Sequence, residues 1–364
     1  MFDPTNRRMG LALSGGGFRA TLFNLGGLWR LNDAGWLEHI TRITSVSGGS
    51  ITAGILARAW SELEFDQGKA KNFERLIVEP TRGFCSNTID IKGGLIGMMN
   101  PFKSIGEQMA SIYDDMLFDG MTLQDLPEVG SGPLFIFYAT NLQTGVSFRF
   151  SRPYMADYLL GTYTTPLIPM AQVLAASAGF PPVLSPVKLV TDPGQWREGS
   201  TDLPLEQLRK RVILTDGGVY DNMGLEALWN HKEIDVVLAS DAGGPFTVKT
   251  SQRSFWLSQL PRVRNILIEQ TRALRKRMLV GQYQSGHKAG SLWTIQTEIS
   301  DYDLPDPLMN DTAQTGQLRN VRTRLNRFSD DEQTQLINWG YALADAAIRK
   351  WVDPDQPLGV LPYG

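Results

Sequence analysis

The stretches Gly10-Leu11-Ala12-Leu13-Ser14-Gly15-Gly16-Gly17-Phe18-Arg19 and Ile43-Thr44-Ser45-Val46-Ser47-Gly48-Gly49-Ser50 each read as a short apolar strand, a glycine-rich turn and the start of a helix. Further on, Val212-Ile213-Leu214 runs into Thr215-Asp216-Gly217-Gly218, and Val236-Val237-Leu238-Ala239 into Ser240-Asp241. Short apolar strands alternating with amphipathic helices imply an α/β fold with a mainly parallel sheet and helices on both faces. A serine on such a turn is lifted clear of the sheet beside a helix N-terminus, where unpaired N–H groups stabilise negative charge. Three consecutive glycines let the chain adopt positive φ and bring bare N–H groups close to a ligand, which is what an oxyanion needs. Asp-Gly-Gly alone is more often a plain turn, but a carboxylate at the end of a buried strand lies where α/β folds place function.

Taken together and in this order, the motifs resemble the patatin-like phospholipase family, whose members carry a G-G-G-x-R/K loop, a G-x-S-x-G elbow and a D-G-G/A motif. The likeness is strongest over residues 11–60, 173–187 and 212–241, with a weaker echo over 322–344. It implies a three-layer patatin fold with Ser47 as nucleophile and Asp216 as its base. The oxyanion hole would come from Gly15, Gly16 and Gly17, chiefly the Gly16 and Gly17 amides, with Arg19 shaping or charging the loop. Ser45, Gly48 and Gly49 would complete the nucleophile elbow, and Ser177, Phe180 and Pro181 would border the substrate pocket. Ser45 departs from the pattern by standing where the family has glycine, as does Ala20 after Arg19.

The base can also be weighed from the residues alone, because the chain has three histidines, His39, His231 and His287. His39 precedes Ser47, the wrong order for an α/β-hydrolase triad, whereas His231 and His287 follow Asp216 in the right order. His231 lies at a polar helix end and His287 in a loop-like stretch, neither within a motif. A Ser47/Asp216 dyad is the favoured reading, with a Ser/Asp/His triad as the alternative. Asp241, at the end of the next apolar run, is a rival base without the matching motif.

Composition sets outer limits. The 364 residues are 42% hydrophobic, enough for one large core, and the reading is a single domain over 1–364. A net charge of −3 argues against a nucleic-acid partner, which needs a phosphate-neutralising excess. Cys85 is the one cysteine, so neither an intrachain disulfide nor a thiolate metal cluster is expected, and no metal or other cofactor is called for. The polar N-terminal residues leave no room for a signal peptide, which favours a cytoplasmic location, peripheral at membranes, or secretion without a cleavable signal. Between Asp157 and Lys188 the chain is uncharged, but Pro166, Pro169, Pro181, Pro182 and Pro186 break any spanning helix; residues 169–179 read as one short buried helix.

Three other segments carry their own signals. An insertion at about 62–130 holds Gly93, Gly94 and Gly97 and the methionines Met98, Met99, Met109, Met116 and Met121, with Phe102 and Phe118. It reads as a lid or acyl-binding cap, with Met98 and Met99 in the pocket, or as adaptable gap-filling side chains in a core. In the helical C-terminal region at about 252–364, Val263, Ile266, Leu267, Leu274 and Met278 recur at helical spacing among Arg262, Arg264, Arg272, Arg275, Lys276 and Arg277. Such a helix lies on an anionic bilayer or, more often, packs its apolar stripe on the core. Ser329 with Glu332 forms a capping box opening a last helix that runs through Trp339 and Ile348 towards Pro354.

The expected activity is hydrolysis of acyl esters in phospholipids or related lipids through an acyl-enzyme. A soluble small-ester esterase using a triad and a non-catalytic lipid-binding protein are the rivals. Head group, sn-position, chain length, activator and homo-oligomeric state are not legible in these residues.

Overall fold

The computed structural model describes residues 2–89, 104–248, 250–251 and 255–364. One sheet of eleven strands runs through the molecule: β1 (Met9–Leu13), β2 (Ile40–Val46), β3 (Leu134–Asn141), β4 (Ser147–Phe150), β5 (Tyr154–Asp157), β6 (Gly161–Thr164), β7 (Val187–Val190), β8 (Trp196–Arg197), β9 (Arg211–Asp216), β10 (Val236–Asp241) and β11 (Ala289–Thr294). Its core, in the order β3-β2-β1-β10-β11, is parallel. Beyond β3 an antiparallel meander, β4, β5 and β6, leads to the short edge strand β8. The sequence reading located the apolar core strands but not this meander, whose members are four residues or fewer and too short to show a period. β11 likewise adds a strand to the region read as helical.

The helices that matter for the site are α1 (Gly17–Asp33), α2 (Gly48–Ala59), α3 (Ile105–Tyr113), α4 (Met170–Ser177), α5 (Trp256–Gln284) and α6 (Asp330–Trp351). Strand alternation assigns the two faces. Leu11, Leu13, Val236 and Leu238 join the large core under α1, α2 and α6, while Ala12, Val237 and Ala239 join a smaller cluster with Leu228, Trp229 and Leu279 of α5. These are the three layers anticipated from the resemblance. α4 is buried over its whole length except Gln172, as read from the sequence. α6 begins on the expected capping box, with Ser329 Oγ accepting the Glu332 N–H and the Glu332 carboxylate accepting the Ser329 N–H.

Within the insertion, Met109 and Phe118 are buried in the main core and Met121 packs against it, filling gaps there, while Met116 is exposed. Met98, Met99, Gly93, Gly94, Gly97 and Phe102, on which the lid reading turns, lie outside the described residues.

α1 and α6 carry the broadest helix–helix packing on this side of the sheet. Their backbones touch at Gly340, where a Cβ would fall on the carbonyl of Phe23. The buried Arg30–Asp345 ion pair, 2.7 Å, ties the same two helices. Gly340→Val cannot be absorbed by side-chain repacking because the obstacle is backbone; a destabilisation of about 3 kcal/mol, seen as a Tm loss on the order of 5 °C, is expected in thermal unfolding.

Candidate active site

β1 is the point from which the sheet grows both ways, with β2 on one side and β10 on the other. In open α/β sheets the crevice at the carboxyl ends of such strands is where ligands bind. The Gly15–Gly17 loop leaves the end of β1 there, and Ser47 leaves the end of β2.

Register explains how Asp216 arrives. β2 pairs with β3 up to Val46 opposite Tyr138, and antiparallel β9 pairs with β3 from Asn141 down to Ala139, opposite Asp216. On its other edge β3 pairs residues 137–140 with β4, so β9 must occupy the edge that β2 has just vacated. Two strands thus run head-on along one edge of β3, and their last residues, Val46 and Asp216, face neighbouring positions. Ser47 follows at once.

The elbow is strained where it should be. Ser47 has φ 52° and ψ −118°, a conformation that costs of order 1–3 kcal/mol for a residue with a side chain. Ser45, standing where the family has glycine, is an ordinary member of β2 and carries none of that strain; its hydroxyl is used instead. Ser50 Oγ donates to Ser45 Oγ at 3.0 Å and lies 2.8 Å from Ser177 Oγ, which accepts the Ser47 N–H at 3.0 Å. With one proton per hydroxyl, Ser177 donates to Ser50 and Ser50 to Ser45. Ser177, expected at the pocket border, is fully buried and buttresses the elbow. Gly48 is needed for close approach, since a Cβ there would strike the Gly17 carbonyl oxygen.

Asp216 is buried at 1% exposure. Its Oδ1 accepts the Gly218 N–H at 2.7 Å. Burial pushes its pKa up to about 6, against the lowering effect of the Gly218 amide and of the Ser47 hydroxyl. Its Oδ2 has no partner of full hydrogen-bond geometry, so the Ser47 hydroxyl faces the carboxyl without being locked to it. The base turn is held in place by backbone: Asp216 N–H donates to Gly179 O at 3.0 Å and Gly217 N–H to Ser177 O at 3.2 Å.

The glycine loop divides its amides. Gly15 N–H donates to Asn222 O at 3.0 Å and is occupied there. Gly16 and Gly17, at φ 143° and 58°, donate to no other group among the described residues and sit at the N-terminus of α1. Arg19 is buried, and its Nε, Nη1 and Nη2 are all spent on carbonyls: Ala242 at 3.1 and 2.8 Å, Arg319 at 3.1 Å and Val321 at 2.8 Å. It shapes the loop by clamping two distant segments.

The rival bases lie elsewhere. His39, His231 and His287 all sit just before the amino ends of β2, β10 and β11, which run parallel. The seven-residue length of β2, about 20 Å of strand, separates that edge of the sheet from Ser47. Asp241 is buried, but Lys276 and Arg272 outweigh the burial and hold its carboxyl below the usual range, as a bound counter-ion. Among the described residues no group of three His, Cys, Asp or Glu side chains is placed to hold a metal ion.

Sequence reasoning missed Asn222. Its amide is wedged between the glycine loop and the base turn: a Cβ on either Gly15 or Gly218 would lie 2.5 Å from Asn222 Oδ1. The one signal was its place six residues after Asp216. A cavity of about 340 Å³ lies between α3, α4 and β7, lined by Ala110, Ala171, Gln172 and Val187 among others and away from Ser47 and Asp216.

The fold is a three-layer α/β architecture, and the sequence places it: residues 11–229 match the Patatin-like phospholipase family, to which the chain belongs. Among solved structures it is similar to human GIVD cytosolic phospholipase A2, with TM-score 0.56 at 13% identity over 94% of this chain and 59% of that one. The same human enzyme in complex with methyl gamma-linolenyl fluorophosphonate gives TM-score 0.53 at 13% identity, covering 94% of this chain and 58% of that one. The chain thus spans less than three fifths of the length of these neighbours, and at such identity the likeness is one of fold. No curated protein matches the sequence.

Removing the wedge should loosen the glycine loop from the base turn. Asn222→Ala is expected to lower kcat/KM for a soluble ester by about 10- to 100-fold, most of it in kcat; an unchanged rate would leave Asn222 without a positioning role.

Proposed function

We propose that this protein hydrolyses carboxylic ester bonds of phospholipids or related acyl lipids through a Ser47/Asp216 dyad. The single observation that carries the reading is the meeting of a strained, nearly buried serine with a buried carboxyl that has no cationic partner among the described residues. Ser47 Oγ attacks the ester carbonyl while its proton passes to Asp216. Electrons pushed onto the carbonyl oxygen are received by the Gly16 and Gly17 N–H groups, reinforced by the α1 terminus. Collapse of the tetrahedral intermediate expels the alcohol, which takes the proton from Asp216. Water then attacks the acyl-enzyme, giving its proton to Asp216. Collapse of the second tetrahedral intermediate releases the acid and expels Ser47 Oγ, which takes that proton back from Asp216 and restores the starting enzyme.

Family membership supports a lipid acyl ester as substrate, and the fluorophosphonate complex of the human neighbour agrees with a serine hydrolase. A pKa near 6 suits the base: it is ionised at neutral pH yet stronger than an ordinary carboxylate. The triad alternative has no histidine within reach of the elbow. The insertion as a lid, with Met98 and Met99 at the pocket, stays a proposal about residues outside the described ones. So does peripheral action from the cytoplasm; no helix among the described residues is long and apolar enough to cross a membrane.

Because the base works only when ionised, raising its pKa moves the acid limb up in pH. The rate should rise through about pH 6 rather than about 4, in the pH profile of kcat/KM. Asp216→Asn should lose on the order of 10³-fold in kcat. Ser47→Ala should abolish both lipid hydrolysis and covalent labelling by a fluorophosphonate; labelling that persists in Ser47→Ala would move the nucleophile elsewhere.

A further inference from the structure

α5 is built inside out. Its inward face is charged: Arg272 and Lys276 pair with the buried Asp241, and Arg275 lies 3.3 Å from the buried Asp221 and over the ring of Tyr220. Its outward face is apolar. Leu260, Val263, Leu267, Leu274 and Met278 are 58%, 48%, 61%, 54% and 52% exposed, a stripe at helical spacing along a rod of 29 residues, about 43 Å. The commoner expectation, that this stripe packs on the core, is overturned because buried Asp221 and Asp241 claim the cationic face. Leu279, near the C-terminal end, is the one apolar α5 side chain fully buried among those described.

We propose that the stripe on α5 is the surface by which the protein lies on an anionic lipid bilayer, with the mouth of the Ser47/Asp216 site turned to the lipid. This rests on the lipid-hydrolase reading above. Three features argue for that occupant. Monomeric proteins rarely leave a contiguous apolar surface of this extent without a partner. The arginines bordering the stripe, Arg262, Arg264 and Arg277, have no acidic partner among the described residues, whereas a second copy of the chain would set these cations against their own equivalents. Finally, the stripe is continuous with the site: Arg264 lies over the Phe180 ring and donates to Pro181 O at 2.8 Å. That turn begins at Gly179, whose carbonyl accepts the Asp216 N–H. Phe180 and Pro181, expected at the substrate pocket, thus stand on the border between the dyad and the helix that would meet the lipid.

The test is co-sedimentation with vesicles of phosphatidylglycerol and phosphatidylcholine, compared with vesicles of phosphatidylcholine alone. Native protein and Ser47→Ala should both pellet with the anionic vesicles, less so at high salt and less on the neutral ones. The double substitution Leu267→Glu with Leu274→Glu should cut the partition coefficient by about tenfold or more while leaving the Tm unchanged, since both side chains are exposed. Equal binding by the double variant, or failure of the native protein to bind, overturns the proposal. So does a dimer in sedimentation velocity that the double variant dissociates, which would assign the stripe to a second copy. If Ser47→Ala still hydrolyses lipid while its vesicle binding matches the native protein, the dyad fails and the docking surface stands.

Discussion

One edge of β3 is shared by two strands that run towards each other, and the site depends on that collision. Neither strand can extend further, so each must turn out of the sheet at the same place, and the turn residues are Ser47 and Asp216. The serine's strained backbone is sustained because the surroundings over-determine it: β2 fixes the residues before it, α2 fixes those after it, and Ser177 holds its N–H. Proximity is thereby settled by sheet register before any side-chain interaction is considered.

Three buried aspartates at neighbouring strand and turn ends show how surroundings assign different work to one side chain. Asp241 is given cations and kept as a carboxylate for α5 to grip. Asp221 accepts the N–H groups of Met223, Leu225 and Glu226 and lies near Arg275, ordering the chain after the base turn; burial still raises its pKa. Asp216 receives one backbone amide and no cation, so desolvation dominates and pushes its pKa up to about 6. Basicity here comes from what is withheld as much as from what is supplied.

The parallel core of the fold and the glycine turns were legible because they depend on local rules: apolar runs of strand length, positive-φ glycine, a serine at a strand–helix junction. Family likeness then paired Ser47 with Asp216. What escaped was decided at long range. The strands β4 to β6 are too short for a period and exist because each has a neighbour to bond to. The hydrogen bond by which the Ser177 hydroxyl holds the Ser47 N–H joins residues 130 positions apart, beyond the reach of any local rule. Asn222 has no motif of its own, and its role as a wedge appears only when Gly15 and Gly218 are brought to either side of it. The orientation of α5 was ambiguous in principle: a helix with one apolar and one cationic face can bury either, and Asp221 and Asp241 decide which.

The clamp made by Arg19 has a consequence for biosynthesis. The carbonyls it binds belong to Ala242, Arg319 and Val321, and the backbone of Thr323 closes over Gly17. A chain emerging from the ribosome therefore carries both Ser47 and Asp216 long before the glycine loop beside them is braced. Chains ending short of residue 319 would hold Ser47 and Asp216 but not the carbonyls that brace the glycine loop, so the finished cradle exists only once this distal segment has been made.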